Sequence, residues 1–99
     1  MTARIVFTEN AREDLRNIAE HIALENPTRA RSFVAELRSR LEAKLSVFPA
    51  GGPAIGKYRY TVVGRYVAIY RTTHNPDTVS IVMVTEGHRD WQRMIEDMI

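Results

Sequence analysis

The chain of 99 residues contains no cysteine. That excludes disulfides and thiolate metal ligands, so a domain this small must be held by packing alone, and a reducing compartment suits it. No apolar run approaches the length that spans a bilayer, and residues 1–10 alternate too closely to form a signal peptide's apolar core. The expected location is therefore the cytoplasm. His21, His74 and His88 are too scattered to suggest a metal site, and Gly51-Gly52-Pro53 lacks the lysine and threonine that follow the glycines of a phosphate-binding loop. No metal or other cofactor is implied. The last scarcity is local. No acidic residue stands between Glu42 and Asp77, whereas Lys44, Lys57, Arg59, Arg65 and Arg71 do, with His74 beside them. If the fold gathers these cations, a positive surface follows.

The remaining composition is ordinary: 44% hydrophobic and 26% charged residues fit one globular domain over 1–99 with a single core, not a disordered chain. Ala3 to Phe7 reads as a short strand, because Ile5, Val6 and Phe7 favour β structure and polar residues follow. Thr8 or Asn10 can cap a helix from Ala11 to about Leu24, whose Leu15, Ile18, Ala19 and Ile22 form one apolar stripe. Asn26-Pro27 restarts the chain as a second helix, since asparagine accepts from orphan amides and proline suits the first helical position. Its stripe runs through Ala30, Phe33, Val34, Leu37, Leu41, Leu45 and Phe48 before Pro49 and the glycines break it. So short a link predicts an antiparallel helical hairpin.

Lys57 to Val63, Tyr66 to Thr72 and Thr78 to Thr85 are rich in tyrosine, valine, isoleucine and threonine and read as three strands of a meander. Gly64-Arg65 and His74-Asn75-Pro76-Asp77 supply the turns. The nearly continuous apolar run from Val79 to Val84 predicts a central strand covered on both faces. Gly87 ends it, and Asp90 is placed to cap a last helix, Trp91 to Met98, with Trp91, Ile95 and Met98 on one face. The expected architecture is α+β: an N-terminal strand, a helical hairpin on one face of a twisted, mostly antiparallel sheet, and a short C-terminal helix. The other sheet face is expected to stay partly open, as a place for partners.

The run Ala11 to Leu15 with Ile18 and Ile22, the Asn26-Pro27 restart with Ala30 and Phe33, and the spacing of Leu37, Leu41, Leu45 and Pro49 resemble the helical hairpin of ParE-type toxins. Tyr58-Arg59-Tyr60, Gly64-Arg65-Tyr66, Ile69-Tyr70-Arg71 and Gly87-His88-Arg89-Asp90-Trp91 resemble the strands and terminal block of the same ParE/RelE superfamily. The resemblance covers nearly the whole chain and implies the toxin of a type II toxin-antitoxin pair, silenced by a cognate ParD-like antitoxin. Its ParE branch implies inhibition of DNA gyrase. Its RelE branch implies metal-independent cleavage of mRNA on the ribosome. A module that only binds its antitoxin is a third possibility.

Ribonuclease chemistry of the second kind needs a base, a donor to the leaving oxygen and cations on the phosphate. The candidates are Arg59, Arg65, Arg71 and Arg89 as cations, joined by Lys57, with Glu86, His88 or Asp90 carrying protons. Strand alternation, however, puts Lys57 and Arg59 opposite Tyr58 and Tyr60, and Arg71 on the side of Val67 and Ile69. RelE-type enzymes are similar in carrying lysines ahead of this strand and a tyrosine or histidine near the C-terminus; here Ala50 to Gly56 is uncharged and Trp91 transfers no proton. His88 reads more simply as a surface residue of a turn, and Trp91 as a core residue. Lys57, Arg59, Arg65, Arg71, Arg89, Asp90 and Trp91 are therefore expected to form a cationic docking face for a target or partner, with catalysis the alternative.

Overall fold

In the computed structural model, the described residues are 3–73, 77–87 and 90–97. The chain runs β1 (Arg4–Phe7), α1 (Glu9–Ala23), α2 (Pro27–Val47), β2 (Ala54–Ile55), β3 (Tyr58–Val63), β4 (Tyr66–Thr73), β5 (Thr78–Glu86) and α3 (Trp91–Glu96). The expected α+β layout is present, with β2 as an addition inside the stretch that the sequence predicts as a loop. Two residues are enough for it because Gly56, at a φ of 58°, turns the chain back onto β3.

The helix starts follow from local chemistry. Thr8 caps α1 by accepting from the Ala11 amide at 3.2 Å, so the helix begins at Glu9, two residues earlier than expected. Asn10, the other candidate cap, instead donates to the Val82 carbonyl at 2.8 Å. Asn26 accepts from the Arg29 amide at 3.0 Å, with Pro27 at the first helical position, as the sequence predicts. Asp90 makes no side-chain cap on α3; its carboxylate lies 3.4 Å from Arg93 on the surface. The outermost residue of the expected last helix, Met98, lies outside the described residues.

The five strands are ordered β1-β5-β4-β3-β2, with β1 parallel to β5 and every other pair antiparallel. The continuous apolar run of β5 is thus explained. It lies between β1 and β4, and its Val79, Ile81 and Val84 point at the helices while Met83 points the other way. On the helical side, Ala11 and Leu15 of α1 and Leu37, Leu41 and Leu45 of α2 close over Val63, Tyr66, Ala68 and Tyr70. Each fully buried leucine of this kind contributes roughly 1.5–3 kcal/mol.

The opposite sheet face is less open than expected. The six residues of α3 lie on it, placing Trp91, Ile95 and Met94 over Tyr58, Tyr60, Val67, Ile69 and Met83. The Trp91 and Tyr60 rings meet at 4.6 Å between centroids, tilted by 56°. Burying two cores on one sheet requires β4 to be apolar on both faces, which is how residues 66–70 read.

Beyond Phe7, β1 ends and leaves one edge of β5 without a strand partner. A bulge at Val82 marks the place, where Ile69 opposes Met83 and Tyr70 already opposes Ile81. Helix α1 takes over the edge with side chains: Asn10 donates to Val82, and the Asp14 carboxylate accepts from the Val84 amide at 2.9 Å. The hairpin is thereby bonded to the sheet as well as packed on it. Leu41→Ala is expected to lower unfolding free energy by about 2–5 kcal/mol in a urea titration. The same change at Leu24, which is 83% exposed at the hairpin turn, should stay within about 0.5 kcal/mol.

Candidate functional site

The cations expected to act together are distributed by the fold over different surfaces. Arg59 sits on β3 opposite Tyr70 and turns toward the helical side, away from Tyr58 and Tyr60, as alternation requires. Its guanidinium donates to the Gly52 carbonyl at 2.7 Å, while the Gly52 amide donates to the Tyr70 hydroxyl at 3.1 Å. A β-carbon at Gly52 would lie 2.1 Å from the Tyr60 carbonyl oxygen and 2.7 Å from the Tyr70 hydroxyl. Only glycine fits there, and Arg59 is engaged in holding the loop after α2 against the sheet.

Arg65 occupies the turn between β3 and β4, where Gly64 takes a φ of 60°. Its carbonyl accepts from the Gly87 amide at 2.8 Å, and its side chain is exposed. Arg71 is exposed near the far end of β4, opposite Ser80 and on the side of Val67 and Ile69. Five strand residues lie between Arg65 and Arg71, so six rises along the strand put them roughly 20 Å apart. Lys57 lies in the turn between β2 and β3, its ammonium 5.5 Å from the Tyr58 ring centroid. Asp90 is exposed beside Arg93, and Trp91 is buried, so Trp91 supports the sheet and offers no docking surface. His88 and Arg89 lie outside the described residues.

The structure therefore brings Lys57, the β3 tyrosines and Trp91 to one face, and it places Arg59 on the other. Arg59, Arg65 and Arg71 do not converge on a point where one phosphate could be held. Tyr66 is no substitute base: burial pushes its hydroxyl above the ordinary tyrosine range, the Glu86 charge adds to that, and Arg65 opposes it. At neutral pH it remains a protonated phenol. Among the described residues, no group of three or more histidine, aspartate or glutamate side chains is disposed to hold a metal ion, and no helix is long and apolar enough to cross a membrane.

A surface that the sequence reading missed runs along the seam between α2 and β3. One hollow of about 520 Å³ is lined by Lys44, Leu45, Phe48, Gly52, Tyr60 and Val62. A second, of about 270 Å³, continues past Phe33, Glu36, Arg40, Arg65 and Tyr66. Phe48 is 67% exposed and Val62 52% exposed, both large for apolar side chains. The spacing predicts Phe48 as the last member of the helix stripe, yet the helix ends at Val47 and leaves that ring outside. Arg40 and Lys44 show helical spacing in the sequence, but nothing in it says that their helix borders a sheet edge.

Arg59→Ala should destabilise the protein by about 1.5–3 kcal/mol, the range for a hydrogen bond from a charged donor, with faster exchange of the Gly52 amide. Arg71→Ala should cost less than about 0.5 kcal/mol. Equal costs in denaturant titrations would contradict the separate roles given to these two arginines.

Residues 5–91 match the family model described as the ParE toxin of the type II toxin-antitoxin system parDE. The fold is similar to that of a chain in the chromosomal ParDE toxin-antitoxin system from P. aeruginosa, with a TM-score of 0.73, 16% identity, and coverage of 86% of this chain and 96% of that one. A chain of the RelBE2 toxin-antitoxin complex from Mycobacterium tuberculosis gives 0.68 at 21% identity, covering 90% and 95%. A mutant of the E. coli toxin RelE in the free state gives 0.66 at 12% identity over the full length of both chains. No curated protein matches significantly by sequence. At these identities the structural likeness speaks for the fold, and the family match, which spans most of the sequence, places this chain among the ParE toxins of type II toxin-antitoxin systems.

Proposed function

We propose that this toxin acts by binding rather than by cleaving: it inhibits DNA gyrase, and through it replication, in the cytoplasm, until a ParD-like antitoxin masks it. The observation that carries this reading is the dispersal of the cations. Arg59 is bonded to the Gly52 carbonyl, and Arg65 and Arg71 stand at opposite ends of β4. A phosphodiester-cleaving site needs its cations and proton carriers on one group of atoms, held before the reaction begins. A docking surface has no such requirement, since charges spread over a face steer and orient a large partner. The ParE family match supports the same branch, and solved neighbours that are toxin-antitoxin complexes support an antitoxin as partner.

Purified toxin added to gyrase is expected to leave relaxed or cleaved plasmid in a supercoiling assay, with the effect removed by equimolar antitoxin. Full supercoiling at excess toxin would refute the gyrase reading. Shortened mRNA on toxin-treated translating ribosomes would replace it with the RelE-type activity.

A further inference from the structure

Helix α3 covers only part of the sheet face on which it lies. Its Trp91, Met94 and Ile95 pack with Tyr58 and Tyr60 of β3, Val67 and Ile69 of β4, and Met83 of β5. Toward the other end of the strands, and across to β1, the same face carries Arg71, Thr73, Thr78, Ser80, Arg4 and Val6, none of which belongs to either core. Ala3, Ile5 and Phe7 point to the helical hairpin, so alternation sends Arg4 and Val6 the other way. Arg4, Arg71 and Thr73 are exposed, and Val6, Thr78 and Ser80 are half-buried.

The strand register lines these residues up. Arg71, Ser80 and Val6 form one row across β4, β5 and β1, and Thr73, Thr78 and Arg4 form the next. Arg71 and Arg4 thus stand at opposite corners, two strands and two residues apart, which is about 12 Å between α-carbons. Arg59 stands opposite Tyr70, which places Tyr58 beside Arg71 on this face, and Lys57 holds its ammonium 5.5 Å from the Tyr58 ring. Three cations therefore border a floor of hydroxyl groups. Arg4, Lys57 and Arg71 form no ion pair among the described residues. The acids nearest in sequence to this patch, Asp77 ahead of β5 and Glu96 and Asp97 at the end of α3, are exposed and pair with none of the three.

A surface of this make-up suits an extended polyanion. Cations spread over a face meet separate phosphates, and serine and threonine hydroxyls between them donate to phosphate oxygens. The burial of the rings selects among nucleic acids. Single strands are held largely by bases stacking on aromatic side chains, whereas on this face Tyr58 and Trp91 are buried and Tyr60 is packed against Trp91. A duplex keeps its bases stacked on one another and asks chiefly for charge along its backbone. We propose that the face bordered by Arg4, Lys57 and Arg71 binds the phosphate backbone of duplex DNA without reading its sequence. That this DNA is the duplex held by gyrase, so that the toxin grips enzyme and substrate together, rests on the gyrase reading; the face and its preference for phosphates do not.

The test follows the anisotropy of a fluorescein-labelled DNA duplex of about 20 base pairs as the full chain is added, with gyrase absent and salt varied from low to physiological. Saturable binding at low salt is expected, with log K falling against log salt at a slope of about −2.7, the value for three neutralised phosphates. Arg4→Ala/Arg71→Ala removes two exposed side chains, so thermal melting should be retained while the slope flattens to about −0.9. Removing two exposed charges from α2, by Arg31→Ala/Arg40→Ala, should leave the slope unaltered. Thr73→Arg adds a cation beside Arg71 and should steepen it by about 0.9, which keeps the test decisive if the Arg4/Arg71 variant does not fold. No binding at low salt, an unaltered slope in the Arg4/Arg71 variant, equal flattening by the α2 pair, or tighter binding of single-stranded DNA or RNA overturns the proposal. Duplex binding with gyrase unaffected would leave this face standing and remove the gyrase reading alone; impaired supercoiling without duplex binding would do the reverse.

Discussion

The structure depends on strand β5 being buried on both faces while one of its edges is only half served by another strand. Its apolar side chains can point both ways only if helices lie above and below the sheet, so α1 and α2 cover one face and α3 the other. Its backbone poses the harder problem, because a central strand whose neighbour stops at Phe7 exposes polar groups that cost free energy when they are dry and unpaired. Asn10 and Asp14 meet that need from α1. The helical hairpin is consequently fixed in orientation by directional bonds, and the second helix, α2, is delivered to the far edge of the sheet.

From that placement the seam between α2 and β3 follows. The same helix whose Leu37, Leu41 and Leu45 close the core carries Arg40 and Lys44 on its flank, next to β3. The acid-free stretch of sequence supplies the rest of the cationic character, although its members do different work. Arg59 holds a loop, Arg65 shapes a turn, Arg71 is exposed on the opposite face, and Lys57 covers a tyrosine ring. A count of basic residues along the chain could not distinguish these uses.

The fold was legible in the sequence wherever a local rule governed it. The stripes of both long helices, the Asn26-Pro27 start, the Gly64-Arg65 turn and the doubly covered β5 all rest on periodicity, capping or turn chemistry. Thr8 against Asn10 as the first cap could not be decided locally, because Asn10 is claimed by Val82, 72 residues away. The cover that α3 gives the second sheet face was foreshadowed by the spacing of Trp91 and Ile95, but not the extent of the contact. Alternation correctly separated Arg59 from Tyr58. Its bond to Gly52 depends on how the loop folds back across the sheet, which no nearby residue announces. The seam between α2 and β3 escaped notice for the same reason: it exists only once a helix and a strand edge lie side by side.

Gly52 gives the seam a property that goes beyond its shape. With its amide and carbonyl both tied to β3 and β4 side chains and no room for a β-carbon, the loop forming one wall of the larger hollow is locked before anything enters. A partner that docked there would not have to order that wall, because the conformational entropy that a slack loop would surrender on association has already been lost during folding. Were a partner to dock there, slackening the loop at this glycine would weaken folding and binding together, without removing a single contact to the partner.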